Sequence, residues 1–286
     1  MSNILELNNV KKSFTGFALQ NVSFALPKGF IMGFIGPNGA GKTTTIKLIL
    51  NMLSLEGGSI KVFGKDHFIC EQEIKEKIGV VMDQPFYVDE WSLLDVEKSL
   101  SPFYQKWNAT KYNTLLKEFH LDAQKKVKAL SHGMKMKLMI AVALSHEADL
   151  LILDEPTSGL DAVTRNELMD ILSTFMTDEN KGILFSTQIT SDLEKIADYI
   201  TFINYGKILY SGTKDDLLEK YCIVKGGNGA LNAEQKEHVI GYHEHRVGFD
   251  GLIDRTLLKA LPKSVVTEPS NLDEIIIRFN LGEEQR

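Results

Sequence analysis

The sequence is poor in cysteine and has no long apolar segment. Two cysteines, Cys70 and Cys222, cannot build a disulfide framework, so we expect a reducing compartment. The first residues, MSNILELNNVKK, lack the apolar core of a signal peptide. The most apolar run, LMIAVALS (138–145), is much shorter than the roughly 18 residues of a membrane span. These absences predict a soluble, intracellular chain.

The sequence also lacks an excess of basic residues. Lysine and arginine total 32, against 38 for aspartate and glutamate, which gives a net charge of -6. A nucleic-acid-binding protein normally has a basic excess or a basic stripe, so nucleic acid is not an expected partner. The length of 286 residues fits one large domain or one domain with a small appendage, and the hydrophobic content of 43% is enough for a core.

Short apolar runs alternate with helical patterns through most of the chain. Three runs have the continuous apolar character of strands buried on both faces: IGVVM (78–82), DLLILDEP (149–156) and KGILFST (181–187). Strands that alternate with helices predict a parallel sheet with crossover helices. The patterns ILELNNV and FALQNVSFAL predict paired strands before this sheet, and the pattern at about residues 86–145 predicts an inserted helical lobe.

The last part of the chain has a different pattern. YITFINYGKILYSG (199–212) predicts a hairpin that turns between Asn204 and Gly206. Beyond it, KYCIVKGG, HRVGFDGLI and EIIIRFN predict strands, and NAEQKEHVIGY predicts a helix. We therefore expect a main domain over residues 1–218 and a small α+β domain over residues 219–286.

The segment GPNGAGKTT matches the phosphate-binding pattern G-x-x-x-x-G-K-[ST]. It follows the predicted strand FIMGFI and opens a helical pattern, so its backbone N–H groups and the helix N-terminus face one anion. In this pattern Lys42 reaches the β- and γ-phosphates, and Thr43 offers its hydroxyl to Mg²⁺. The predicted nucleotide-binding residues are Gly36, Pro37, Asn38, Gly39, Ala40, Gly41, Lys42, Thr43 and Thr44.

A second strand supplies the carboxylates that a phosphate loop lacks. The buried run LLILD ends in Asp154, whose carboxylate can hold Mg²⁺. Glu155 follows at the carboxyl end of the strand, where ligands bind in open α/β sheets. A glutamate there can polarise a water that attacks the γ-phosphate. The two motifs together predict an ATPase that uses ATP and Mg²⁺.

These motifs resemble those of the nucleotide-binding subunits of ABC transporters over roughly residues 3–215. GPNGAGKT is similar to the Walker A loop, LLILDEP to the Walker B strand, and SGLD (158–161) to the D-loop. LSHGM stands where the family has the signature LSGGQ, and Ser131 and Gly133 keep its serine and second glycine. Phe14 stands where an aromatic residue usually stacks on adenine.

The resemblance implies an α/β fold of the P-loop NTPase type, with a mixed, mainly parallel sheet, N-terminal antiparallel strands, an inserted helical lobe and a small α+β appendage. In the family, two subunits pair head to tail, so that Ser131 and Gly133 of one copy face the ATP held by the other. It further implies a homodimer that powers a separate transmembrane permease at the cytoplasmic face of the membrane, without contacting the cargo. Residues 219–286 are expected to serve dimerisation or regulation.

Two further stretches depart from the family pattern. Family members resemble IGYVPQ, whereas this chain has IGVVMDQ. Either Asp83 or Gln84 can reach Mg²⁺ or the attacking water. Counting puts Asp83 at the glutamine position, whereas the chemistry of the side chain favours Gln84. In the signature, His132 and Met134 replace a glycine and a glutamine.

The departure with the largest consequence is Gln188, which stands where the family has a histidine that touches the γ-phosphate. A glutamine amide can donate the same hydrogen bond but cannot carry a proton. If only positioning is needed, the loss is about 1 kcal/mol, or roughly sixfold in rate. We expect Glu155 and Gln188 to be the catalytic residues of a working ATPase. The alternative is a regulatory nucleotide-binding subunit with little turnover of its own.

Within the family, the chain is most similar to exporters of antibiotics, bacteriocins and phenol-soluble-modulin-type peptides in Gram-positive bacteria. SHGMKMKL, STQITSDLEKIADYITFI and the tail beyond residue 220 carry this similarity. Family members dock a short helix of the permease beside the helical lobe, and PFYVDEW (85–91) and PFYQKW (102–107) flank the expected groove. Aromatic residues concentrate at interfaces, so we expect some aromatic residues of these segments to face the permease and others to fill the lobe core. They are Phe86, Tyr87, Trp91, Phe103, Tyr104 and Trp107.

Overall fold

The structure, a computed structural model, describes residues 2–284. Within this range the strands are, in chain order, β1 (Asn3–Phe14), β2 (Phe17–Pro27), β3 (Ile31–Ile35), β4 (Gly57–Val62), β5 (Lys65–Asp66), β6 (Ile78–Val81), β7 (Leu150–Asp154), β8 (Gly182–Thr187), β9 (Tyr199–Asn204), β10 (Lys207–Thr213), β11 (Tyr221–Gly226), β12 (Ile240–His245), β13 (Gly248–Asp254) and β14 (Val266–Pro269). The α-helices are α1 (Lys42–Ile49), α2 (Glu71–Lys75), α3 (Leu93–Leu100), α4 (Ala109–Glu118), α5 (His132–Leu144), α6 (Ala162–Phe175), α7 (Thr190–Ile196), α8 (Lys214–Lys220), α9 (Ala233–Glu237) and α10 (Leu272–Glu284).

The main sheet has the strand order β10-β9-β3-β8-β7-β6, with five parallel strands and β10 antiparallel at the edge. In β7, Leu151 and Leu153 pack into one apolar cluster, while Leu150 and Ile152 pack into another on the opposite face. Both faces of the sheet are therefore covered, which explains the continuous apolar runs of its strands. The predicted α/β fold with a parallel sheet is confirmed.

Two further layers cover this sheet. A four-stranded antiparallel sheet, ordered β2-β1-β4-β5, contributes to one apolar cluster, as the alternating N-terminal patterns predict. Three helices, α3 to α5, lie between β6 and β7 in the interval predicted for the helical lobe. Helix α5 approaches β6 closely at Gly79, where a Cβ atom would lie 2.9 Å from the Cβ of Ala143.

The C-terminal segment forms a third sheet, ordered β12-β13-β11-β14 and antiparallel throughout. The hairpin predicted at 199–212 is present as β9 and β10. The strand prediction for EIIIRFN was wrong, because these residues lie within α10. The NAEQKEHVIGY helix prediction was right only for α9, since the segment continues into β12.

The physical reason for the error at EIIIRFN lies in its start signal and in its packing. Asn271 accepts a hydrogen bond from the backbone N–H of Glu274, whose carboxylate accepts one from the N–H of Asn271. This capping box starts a helix. Ile275 and Phe279, four residues apart, then share one helical face, and the Phe279 ring lies 5.7 Å from the ring of Phe202. Burial of this face outweighs the strand preference of three consecutive isoleucines.

None of the helices described in residues 2–284 has the length and apolar character that crossing a bilayer requires.

Candidate functional site

The phosphate loop is held against neighbouring elements at two glycines. A Cβ atom on Gly36 would lie 2.2 Å from the main-chain oxygen of Ile203, in β9. Gly41 has a φ of 115°, and a Cβ atom there would lie 2.6 Å from Cδ2 of Leu19, in β2. A side chain at either position would collide with its neighbour, and the positive φ of Gly41 also favours glycine. The predicted loop is therefore fixed in place by its glycines.

The loop opens α1 with an N-terminus that no described side chain caps. Gly41 is the N-cap residue, and the first turn, which contains Thr43 and Thr44, has no acidic residue. The first N–H groups of a helix lack intrahelical partners, and the helix dipole adds partial positive charge there. This arrangement fits a phosphate group.

The other loop residues line a cavity of about 220 Å³ beside the β9–β10 turn. Its lining residues are Pro37, Asn38, Gly39, Ala40, Asn204, Tyr205 and Asn280. Asn280 belongs to α10, and its Oδ1 accepts a hydrogen bond of 3.0 Å from Nδ2 of Asn204. The C-terminal helix therefore reaches the phosphate loop, which the sequence patterns did not predict.

Lys42 directs its ammonium group back into the loop. Its Nζ donates hydrogen bonds to the main-chain oxygens of Gly36 (2.7 Å) and Pro37 (3.3 Å). The same Nζ lies 3.1 Å from Oε1 of Glu155. That carboxylate oxygen is buried and has no hydrogen-bond partner within the described part of the chain, so Lys42 stabilises it mainly by charge.

Asp154 ends β7 between two hydroxyl groups. Its Oδ2 accepts a hydrogen bond of 2.7 Å from Thr43, and its Oδ1 accepts one of 3.0 Å from Ser186. Carboxylate and hydroxyl oxygens are ligands that suit Mg²⁺, so Thr43 and Asp154 fit a magnesium site. Sequence reasoning missed the role of Ser186, although the register that pairs β7 with β8 places it opposite Asp154.

Glu155 is held in a left-handed backbone conformation, with a φ of 51°. Such a conformation costs a non-glycine residue about 1 kcal/mol or more. Its backbone N–H donates to the main-chain oxygen of Ser186 at 2.9 Å, and its Oε2 accepts a hydrogen bond of 3.3 Å from the backbone N–H of Gln188. Gln188 itself is exposed. The structure therefore places Glu155 between Lys42 and the backbone N–H of Gln188, at the carboxyl ends of three adjacent strands.

Asp83 and Gln84 follow β6, which pairs with β7 so that Val81 lies opposite Leu153. Both side chains are exposed. They stand at the same edge of the sheet as Asp154, and the choice between them as the magnesium or water ligand stays a prediction.

Phe14 lies at the end of β1, with 45% of its surface exposed. Lys12 places its Nζ 5.8 Å from the centre of the Phe14 ring. The register of the hairpin pairs Phe14 with Phe17, whose Cζ lies 3.0 Å from the position of a Cβ atom on Gly41. Phe17 thus lies beside the phosphate loop. The F-x-x-F spacing across the turn was the sequence signal that could have indicated it.

Ser131 and Gly133 occupy a different cavity, of about 370 Å³, which shares no lining residue with the cavity beside the phosphate loop. Ser131 caps α5 by accepting a hydrogen bond of 3.3 Å from the backbone N–H of Met134. The D-loop residues Gly159 and Asp161 line the same cavity. The structure therefore does not bring the two signature residues together with Lys42 within one chain.

Asp161 caps α6 at the end of the D-loop. Its Oδ1 accepts hydrogen bonds of 3.0 Å from the backbone N–H groups of Val163 and Thr164, and its Oδ2 accepts one of 2.9 Å from the Thr164 hydroxyl. The N–H of Thr164 and then its hydroxyl hold the pKa of the Asp161 carboxyl below its ordinary value. The cap fixes one end of the D-loop on a helix.

The fold and the site define a P-loop ATPase cassette with an inserted helical lobe. The profile of the ABC transporter family matches residues 19–158. The bacitracin transport ATP-binding protein BcrA of Bacillus licheniformis is 31% identical over 261 residues, which cover 88% of this chain and 85% of that relative. The lantibiotic transport ATP-binding protein SrtF of Streptococcus pyogenes is 36% identical over 218 residues, which cover 74% of this chain and 93% of that relative.

A solved structure, that of the ATP-binding subunit of an ABC transporter, is 28% identical to this chain with a TM-score of 0.69. The match covers 75% of this chain and 91% of that one. The chain belongs to the ABC transporter family of ATP-binding proteins, and it is an ATPase of this type. The family and the activity expected from the sequence motifs are confirmed.

Proposed function

We propose that the chain hydrolyses ATP with Mg²⁺ in a head-to-tail dimer and thereby powers a separate membrane permease that exports peptides or antimicrobials. One observation carries the proposal: Glu155 contacts both Lys42 and the backbone N–H of Gln188, while Ser131 and Gly133 line a separate cavity. Two relatives whose names refer to bacitracin and lantibiotic transport support the class of cargo.

Each group in the site has a role in this proposal. Lys42 and the N–H groups at the start of α1 bind the β- and γ-phosphates, and Phe14 stacks on adenine. Thr43 and Asp154 hold Mg²⁺, with Asp83 or Gln84 as a further ligand, and the metal neutralises phosphate charge. Glu155 is the general base for the attacking water. Lys42 contacts Glu155. A bound γ-phosphate attracts the ammonium group of Lys42, and the carboxylate of Glu155 is then available to that water.

The position of the signature residues supports the dimer. Ser131 and Gly133 begin α5, whose N-terminal dipole attracts anions. They share no cavity with the phosphate loop of their own chain. A second copy, turned head to tail, supplies the phosphate that this helix end can bind, and two such sites form by symmetry.

Gln188 decides between a working ATPase and a regulatory subunit with little turnover. We expect Gln188→His to raise the steady-state ATPase rate by about sixfold or less, since one neutral hydrogen bond is worth about 1 kcal/mol. Gln188→Ala, which removes the donor, is expected to lower the rate further. Gln72→His, at an exposed position of α2, serves as the matched control. The regulatory subunit is supported instead if the wild type has as little ATPase activity as Glu155→Gln and Gln188→His restores that activity.

The expected permease contact rests on aromatic residues of the lobe. Phe86 and Phe103 are each 75% exposed. The remaining four pack inward, against the apolar core or against His146: Tyr87, Trp91, Tyr104 and Trp107. This division agrees with the mixed set that we expected. The two exposed rings are therefore the proposed docking residues, which would hold the protein at the cytoplasmic face of the membrane.

Co-purification with the candidate permease tests this part of the proposal. We expect the detergent-solubilised permease to retain the wild-type chain and to lose most of the Phe86→Ala/Phe103→Ala double variant. The control is Phe68→Ala, because Phe68 is also exposed, at 69%, but lies outside the lobe. Equal retention of all three proteins would contradict the assignment of the docking surface. The dimerisation or regulatory role of residues 219–286 stays a prediction.

A further inference from the structure

We propose that His132 is a positioning residue that links the signature loop to the catalytic glutamate of its own chain through the D-loop. The contact joins Nε2 of His132 to the main-chain oxygen of Ser158, at 2.8 Å. A carbonyl oxygen only accepts hydrogen bonds, so Nε2 carries the hydrogen and donates it. The proposal deepens the proposed function and rests on it for its catalytic consequence.

The link continues from Ser158 to Glu155. The backbone N–H of Ser158 donates a hydrogen bond of 3.1 Å to the main-chain oxygen of Glu155. Glu155 itself has a left-handed φ of 51°, and its Oε1 lies 3.1 Å from Nζ of Lys42. A displacement of the signature loop is thus transmitted by two successive hydrogen bonds to the backbone of the proposed general base.

The surroundings of His132 are shaped to hold the imidazole. Gly159 has a φ of 69°, and a Cβ atom on it would lie 3.6 Å from Cδ2 of His132, so the ring lies directly over this glycine. Nearby, the position of a Cβ atom on Gly133 is 3.5 Å from Thr164 and 3.6 Å from Leu160. The starts of α5 and α6 are therefore in contact around the histidine, and the link joins two elements that already pack together.

The position of His132 in the proposed dimer gives the link its function. The signature loop of one copy faces the nucleotide bound by the other, whereas Glu155 acts on the nucleotide of its own copy. His132 therefore connects the two ATP sites, so that contact with one nucleotide positions the base for the other. Glycine, which the family pattern has at this position, has no side chain to make this connection.

The first test measures the link itself by hydrogen exchange of the D-loop amides in the free, full-length chain. We expect His132→Ala to increase exchange in residues 157–163 by about three- to tenfold, as for the loss of one hydrogen bond. His132→Gln places an N–H near the position of Nε2 and is expected to restore protection, whereas the shorter His132→Asn is not. His245→Ala, at an exposed histidine of β12, is the control.

The second test separates positioning from binding in steady-state kinetics. We expect His132→Ala to lower kcat by about three- to tenfold and to leave the affinity of the free chain for ATP unchanged, because the phosphate loop is untouched. His132→Gln is expected to keep about half or more of the wild-type kcat, as its amide can make the same hydrogen bond.

The outcomes distinguish failure of the link from failure of the proposed function. Unchanged exchange and kcat in His132→Ala would overturn the link, as would equal impairment of the alanine, asparagine and glutamine variants. If the wild type binds ATP but does not hydrolyse it, the proposed function fails, and the exchange experiment still tests the hydrogen bond. Altered exchange with an unaltered kcat would remove the catalytic part of the inference.

Discussion

Replacing Glu155 by glutamine is expected to lower the steady-state rate of ATP hydrolysis by about 10²- to 10⁴-fold, the usual contribution of a general base. The amide keeps the size of the side chain and can still accept the hydrogen bond from the backbone of Gln188. It cannot take a proton from water. ATP affinity is expected to be retained, since Glu155 is not among the proposed phosphate ligands.

A close control exists for this substitution. Glu147 also has a left-handed backbone, with a φ of 56°, and it also pairs with a lysine, Lys106, at 3.0 Å. Glu147→Gln reproduces the chemical change outside the site and should leave the rate unchanged. If Glu155→Gln retained most of the wild-type turnover, another group would have to act as the base, and the assignment of Glu155 would be wrong.

Replacing Lys42 by methionine is expected to weaken ATP binding by about 100-fold or more, because hydrogen bonds to charged groups contribute about 1.5–3 kcal/mol each. Methionine retains much of the apolar stem, so the buried packing of the side chain is kept while the ammonium group is lost. Titration of the purified chain with a fluorescent ATP analogue measures the affinity. Lys47→Met, in the last turn of the same helix, is the control.

The double variant Lys42→Met/Glu155→Gln tests whether loss of binding reflects the phosphate contact or an unpaired carboxylate. Oε1 of Glu155 has no hydrogen bond within residues 2–284, so Lys42→Met leaves a buried charge without its cation. We expect the double variant to recover thermal stability but not ATP affinity. Recovery of ATP affinity as well would show that Lys42 acts by neutralising Glu155 and not by binding phosphate.

Much of the site could be predicted because its signals are local. The spacing from Gly36 to Lys42 and the run that ends in Asp154 and Glu155 are contiguous in sequence, and a parallel sheet brings their strands to one edge. The buried strands were predictable for a similar reason, since covering both faces of a sheet requires unbroken apolar runs.

The features that the sequence did not reveal depend on contacts between distant residues. Ser186 is recognised as a partner of Asp154 only once the register of β7 and β8 is known. The hydrogen bond from His132 to Ser158 spans 26 positions. The helix at EIIIRFN was mistaken for a strand because its isoleucines favour strands locally, while packing of α10 against Phe202 is decided by the tertiary structure.

We propose that each ATP site is completed by a second copy of the chain. The most direct measurement is the ATPase rate per chain across a dilution series, with sedimentation of the same samples in ATP and Mg²⁺. We predict that the rate per chain rises with concentration as the dimer forms. Gly133→Asp should abolish the rise, since its carboxylate repels the γ-phosphate of the second copy, while a Cβ atom at Gly133 meets only ordinary contacts. A constant rate per chain over a range in which the protein sediments as a monomer would contradict the account.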